Sequence, residues 1–140
     1  MVKSLLYVSR SLVASGTASI EIDGIAATSI ARNRRLGVTG ILLATPSGFA
    51  QILEGEAASI DEVFGSILRD VRHKDVTVLS YEPVVRRRFE RWSLPYFGRS
   101  SYVAGHLEPF LAGNMLGATE AEQRLMDLMY EFGRPIEGVP

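Results

Sequence analysis

The stretch Val38–Glu56, VTGILLATPSGFAQILEGE, decides the fold. It holds two short apolar runs, Val38 to Thr45 and Phe49 to Leu53, on either side of Pro46-Ser47-Gly48. Neither run is long enough for a typical helix, and the proline–glycine pair between them is a tight-turn signal. The spacing predicts a β-hairpin. Both strands are apolar at consecutive positions, Leu42/Leu43 and Ile52/Leu53. A strand apolar at both parities is covered on both faces. Glu54-Gly55-Glu56 reads as the break after the hairpin.

Working outward, Ile22, Ile25, Ala26 and Ile30 recur at helical spacing. They predict a helix from about Ile20 to Leu36, stopped by Gly37. A Ser/Gly/Thr loop, Ser11 to Ser19, precedes it, and Ser4 to Ser9 reads as a first strand. Downstream, Ile60, Val63, Phe64, Ile67 and Val71 give one apolar face to a helix from Ala57 to Val71. Val76 to Tyr81 is a fourth strand, ended near Pro83. The basic, aromatic segment Arg86 to Pro95 carries a fifth, irregular strand.

The order β-α-β-β-α-β is the ferredoxin-like pattern, an α+β fold. Right-handed crossovers place both helices on one face and make strands 1 and 3 central neighbours. The other face then needs a cover. The tail supplies one: a short helix from His106 to Leu116, then a helix opened by the capping-box match Thr119-x-x-Glu122. That second helix bears Leu125, Met126, Leu128, Met129 and Phe132. A structural cap is the expected role. A surface for a partner or a homodimer is the alternative, since methionine-rich faces suit adaptable contacts.

Composition narrows the function. The chain has 140 residues, 46% of them apolar, and a net charge of −1. No global field draws it to nucleic acid or an anionic membrane. Clustered arginines (Arg32, Arg34, Arg35 and Arg86, Arg87, Arg88, Arg91) read as solvated faces rather than a nucleic-acid interface. With no cysteine, disulfides, thiolate catalysis and thiolate metal sites are excluded. Only His73 and His106 are histidines, so no histidine metal cluster is expected. No apolar run approaches the roughly 18 residues of a membrane span. Arg10 interrupts the N-terminal apolar run too early for a signal peptide, so a cytoplasmic location is expected. Walker, GxGxxG, GxSxG and HExxH motifs are absent, as is the anion cradle of a small acylphosphatase-like hydrolase.

Three polar residues stand where apolar ones belong. At about 100° per residue, Asn33 falls roughly 20° from Ile22 on the first helix, and Ser29 roughly 20° to the other side. Asn33 therefore sits on the packed face, where it either meets a partner or bonds the carbonyls near Gly37. Gln51 shares a face with Phe49 and Leu53 on a central strand, and bonds either a ligand, a loop or a water. Tyr7 lies on the neighbouring central strand, within reach of Gln51 if both face the helices. Together they outline an uncharged slot of donors and acceptors between two helices and a sheet. Such a slot suits a flat, amide-bearing heterocycle.

Ser29 to Gly40 (SIARNRRLGVTG), Ile41-Leu42-Leu43, Gly48 to Gly55 (GFAQILEG) and Asp70 to His73 (DVRH) resemble BLUF domains. Tyr7 in LLYVSR and Trp92 in RFERW fit as well. These are flavin-binding blue-light sensors, and the likeness runs from about residue 3 to 98. It resembles the short, stand-alone type found in bacteria. The resemblance implies a ring held between the two helices, with Asn33 at its C4 carbonyl/N3 edge. Gln51 would lie between N5/O4 and the Tyr7 hydroxyl. Ile25 would form an apolar wall beside Ser29, Arg32 would sit at the mouth, and a turn with Asp70, Arg72 and His73 would close the pyrimidine side. The cofactor implied is FAD, with FMN or riboflavin open.

The implied mechanism is photochemical, not enzymatic. An electron and then a proton leave Tyr7 through Gln51; the charges recombine and leave Gln51 rotated or tautomerised. Trp92 and Leu94 would relay the signal. Leu94 stands where relatives commonly carry methionine, which keeps the apolar volume but loses the sulfur. Residues 1–98 would be the sensor and 99–140 a helical relay to a separate protein partner. The competing reading is a flavin-free ferredoxin-like interaction module.

Overall fold

The computed structural model describes residues 1–111 and 119–134. Five strands and four α-helices follow in the order β1 (Val2–Ser11), α1 (Ala18–Leu36), β2 (Thr39–Ala44), β3 (Gly48–Glu56), α2 (Ala57–Arg69), β4 (His73–Pro83), β5 (Trp92–Phe97), α3 (Ser101–Leu111) and α4 (Thr119–Gly133). A single 3₁₀ turn, Ser15–Thr17, leads into α1. The sheet order is β4-β1-β3-β2-β5. It is the expected ferredoxin-like α+β arrangement, with β1 and β3 adjacent and antiparallel and β5 added parallel to β2.

The hairpin turn closes on itself. Thr45 Oγ1 donates to the Gly48 carbonyl at 3.0 Å and accepts the Gly48 N–H at 3.1 Å. Two glycines are needed where they stand. Gly37 ends α1 in the left-handed region, φ 70°, which costs glycine nothing. Gly40 has φ 150°, and a Cβ there would come 1.9 Å from the Ile52 carbonyl oxygen on the neighbouring strand.

Two apolar cores lie on opposite faces of the sheet. One joins Leu5, Leu42, Phe49 and Leu53 to Ile22 of α1 and to Ile60, Val63 and Ile67 of α2. The other joins Leu6, Val8, Ile41, Leu43, Ala50 and Ile52 to Val103, Leu107 and Phe110 of α3 and to Leu125 and Met129 of α4. The alternation of each strand thus sends one set to the helix layer and the other to the tail. The tail is the cover that the two-sided apolar strands require.

Several boundaries differ from expectation. Glu54-Gly55-Glu56 is not a break: β3 continues to Glu56 because Glu54 is paired with both Ser4 and Thr39. The α2 helix ends at Arg69, so Val71 leaves the apolar face and is 85% exposed. Ile30, expected on the packed face of α1, is 50% exposed. The fifth strand starts at Trp92, not Arg86. The first tail helix starts at Ser101, and the expected segment beyond Leu111 lies outside the described residues. α4 begins at Thr119, where the capping-box motif stands.

Candidate flavin site

Tyr7 and Gln51 are direct cross-strand partners. Gln51 Nε2 donates to the Tyr7 hydroxyl oxygen at 2.6 Å. Trp92 Nε1 donates to Gln51 Oε1 at 2.7 Å. All three residues are buried, exposed by 3%, 3% and 6%. An indole N–H can only donate, so the amide oxygen must face Trp92 and the amide nitrogen must face Tyr7. Trp92 thereby fixes the orientation of Gln51. Tyr7 accepts in this arrangement, which leaves its own proton free for another acceptor. Burial pushes its pKa well above the usual phenol range; the Gln51 bond and the charge of Arg32 oppose this, and Asp70 adds to it. The hydroxyl is therefore a protonated donor at neutral pH.

The α1 helix divides two spaces. Its only buried residues are Ile22, Ser29 and Asn33, which span about 40° of the helix at 100° per residue. This seam faces the sheet. To one side, Ile25, Thr28, Ser29 and Arg32 line a cleft whose other walls are Tyr7, Leu42, Phe49, Gln51, Ile67, Asp70, Arg72 and His73. The cleft encloses about 500 Å³ free of atoms, part of it open to solvent. Eight of the nine residues implied as ring contacts thus meet around one space. Asn33, the ninth, sits on the seam and lines the groove on the far side of α1.

Asn33 is completely buried. Its Oδ1 accepts from Arg32 Nε at 3.0 Å, while its Nδ2 has no partner. A buried N–H without an acceptor costs about 1–3 kcal/mol. This orphaned donor beside a cleft suits a carbonyl-bearing heterocycle. Burial lowers the Arg32 pKa from its ordinary value, so its charge is partly desolvated at the cleft wall.

At the far end, Asp70 and Arg72 close on each other. The Arg72 guanidinium makes bonds of 2.9 and 2.6 Å to the two Asp70 oxygens, and the Arg72 backbone N–H adds one at 2.9 Å. The side-chain bond to Arg72 holds the Asp70 carboxyl below the usual carboxylate range. His73, expected in the turn with Asp70 and Arg72, instead opens β4. Its Nε2 lies 2.6 Å from the Ile67 carbonyl and its Nδ1 2.7 Å from Ser9 Oγ. A carbonyl only accepts, so Nε2 carries a proton. Leu94 packs, half-buried, with the helix-side core beside Trp92.

Leu42, Phe49, Ile67 and Thr28 also line the cleft and are not among the ring contacts expected from sequence. Phe49 shares the Gln51 face by strand alternation, and Leu42 stands opposite Gln51 in the hairpin. Those two were available from the predicted hairpin; Thr28 carried no signal.

The family described as "BLUF: Sensors of blue-light using FAD" matches residues 2–95. The chain belongs to the BLUF family. It is a flavin-binding blue-light sensor domain. Among solved structures it is similar to the dark state of BlrB, a BLUF protein, at 30% identity and TM-score 0.65, over 94% of this chain and 93% of that one. The photo-activated state of BlsA shares the fold at TM-score 0.73 and 21% identity, over 93% and 95% of the two chains. A curated relative is the photoactivated adenylate cyclase subunit alpha of Euglena gracilis, 29% identical over 92 residues. Another is the blue light- and temperature-regulated antirepressor BluF of Escherichia coli K12, 30% identical over 97 residues. The matches cover 66% and 69% of this BLUF chain but only 9% and 24% of those relatives. Among the described residues, no helix is long and apolar enough to cross a membrane.

Proposed function

We propose that this BLUF domain signals through the buried Trp92–Gln51–Tyr7 hydrogen-bond chain beside the cleft. When bound, the flavin supplies blue-light absorption and a one-electron acceptor. Tyr7 is the residue able to give up an electron, and its hydroxyl holds the proton that follows. Gln51 can take up that proton once its amide turns, because its nitrogen faces Tyr7 and its accepting oxygen faces Trp92 in this arrangement. Rotation or tautomerisation of Gln51 moves an acceptor away from Trp92 Nε1, and darkness restores it. Asn33 offers its unpartnered N–H to the ring edge, and Ile25 and Ser29 wall the ring beside it. Arg32 guards the mouth, and Asp70, Arg72 and His73 hold the far end of the cleft. The family description favours FAD.

The output reading follows from the two cores. Residues 1–98 act as the sensor and residues 99–140 as the relay, because α3 and α4 pack on the sheet face opposite the cleft. The chain acts on a separate protein rather than on a substrate. The observation that carries the reading is the 2.6 Å and 2.7 Å pair of bonds at Gln51. The purified protein is expected to be yellow and to shift its flavin absorption to the red under blue light. Tyr7→Phe and Gln51→Leu keep the colour and lose the shift. A normal photocycle in either variant overturns the mechanism.

A further inference from the structure

The space on the other side of α1 is a broad groove of about 1580 Å³, part of it open to solvent, bounded by α1, the β4–β5 loop and β5. Its apolar lining includes Ile30, Val38 and Leu94; its rim carries Arg34, Arg87 and Arg91 against one acid, Glu90. Ile30 is half exposed, an uncovered apolar side chain in a place where the helix periodicity calls for contact. Arg34 and Arg91 are exposed and form no ion pair among the described residues. Arg87 is pinned by bonds to Thr39 Oγ1 and the Glu54 carbonyl. The chain as a whole is −1, so this is a segregated basic rim rather than a general basicity.

Trp92 lines this groove and also donates to Gln51. Trp92 thus stands between Gln51 and the groove.

We propose that the α1–β5 groove docks an acidic, amphipathic segment of a separate protein, and that light changes its affinity through Trp92. The second clause rests on the photoswitch proposed above. The charge pattern chooses the partner: apolar side chains of the segment cover Ile30 and Leu94 while its carboxylates meet the three arginines. A nucleic-acid backbone would meet the arginines but leave the apolar floor uncovered.

The test uses the flavin-loaded full chain and a short fluorescein-labelled peptide of glutamate and leucine, read by anisotropy in darkness and under blue light. A lysine–leucine peptide and a single-stranded DNA oligonucleotide are the comparison probes. The acidic peptide is expected to bind in preference to both, with different affinity in the two light states. Arg34→Glu with Arg91→Glu weakens it by about tenfold or more while the red shift persists. Ile30→Asp, at an exposed position, also weakens it. Trp92→Phe retains binding but removes the light–dark difference. Equal or tighter binding of either comparison probe, or binding unaffected by the arginine and Ile30 variants, overturns the docking site. Equal affinity in both light states of a protein that does shift to the red overturns the coupling. If no red shift occurs at all, the photoswitch fails, and the dark measurements still decide the docking site.

Discussion

The two faces of one sheet are built differently in this protein. Along β3, Ala50 and Ile52 point into a dry layer with Leu125 and Met129, all exposed by 1% or less. Their neighbours Phe49 and Gln51 point into the cleft. Adjacent residues on a strand thus divide between filling the core and lining the cleft where the proposed switch lies. The pleat separates the two roles, so a strand can place a polar switch within one residue of a close-packed core.

That division can be broken in graded ways. The largest stability effect belongs to the tail face. Leu125→Ala removes a fully buried side chain and is expected to lower unfolding free energy by about 2–5 kcal/mol, with the flavin spectrum and red shift intact; urea melts and difference spectra check both. Gln51→Leu strands the Trp92 N–H and the Tyr7 hydroxyl without a partner. Its expected cost is about 1–3 kcal/mol, and it abolishes the red shift. If the Leu125 variant loses the shift while the Gln51 variant keeps it, the two faces have been assigned the wrong way round.

Smaller effects appear with pH. Burial raises the Tyr7 pKa above its ordinary 10.0, so the folded state keeps the proton that the unfolded chain releases. The stabilisation is complete below about pH 10 and is lost as pH rises toward the folded value. Alkaline unfolding curves of Tyr7→Phe are therefore expected to be flatter than those of the parent. Asp70 works in the opposite sense. Its bond to Arg72 lowers its pKa below 3.8, so its contribution is present above that pH and lost on acidification. Asp70→Asn removes this loss, a small effect because the pair is partly solvated. Acid titrations followed by circular dichroism check it.

Much of this was legible in the sequence, and what was not has physical reasons. Helix arithmetic placed Asn33 beside Ile22 and Ser29, and these three are the buried residues of α1. Hairpin logic placed Gln51 on a central strand facing Tyr7. The same periodicity misplaced Ile30, because it registers apolar character and not whether another element arrives to cover it. Val71 was lost when Asp70 turned toward Arg72 and ended the helix. Glu54 looked like a breaker because a carboxylate rarely lies inside a sheet. It is completely buried, and its Oε1 accepts the Arg88 backbone N–H at 2.7 Å. That bond ties β3 to the β4–β5 loop, a long-range contact no local pattern announces. Nor could the sequence show that Trp92 reaches Gln51 across β2, since this depends on β5 joining in parallel.

That last feature has a consequence for how a signal would travel. Tyr7, Gln51 and Trp92 belong to three strands, and their bonds run across the sheet, over β2, at right angles to the main chain. News from position 51 can therefore reach segments 44 and 41 residues away in sequence through side chains alone. Every rung of the ladder between those strands can stay in place while it does. The message would be written in the sheet's side groups, and amide exchange along β3 should hardly notice it.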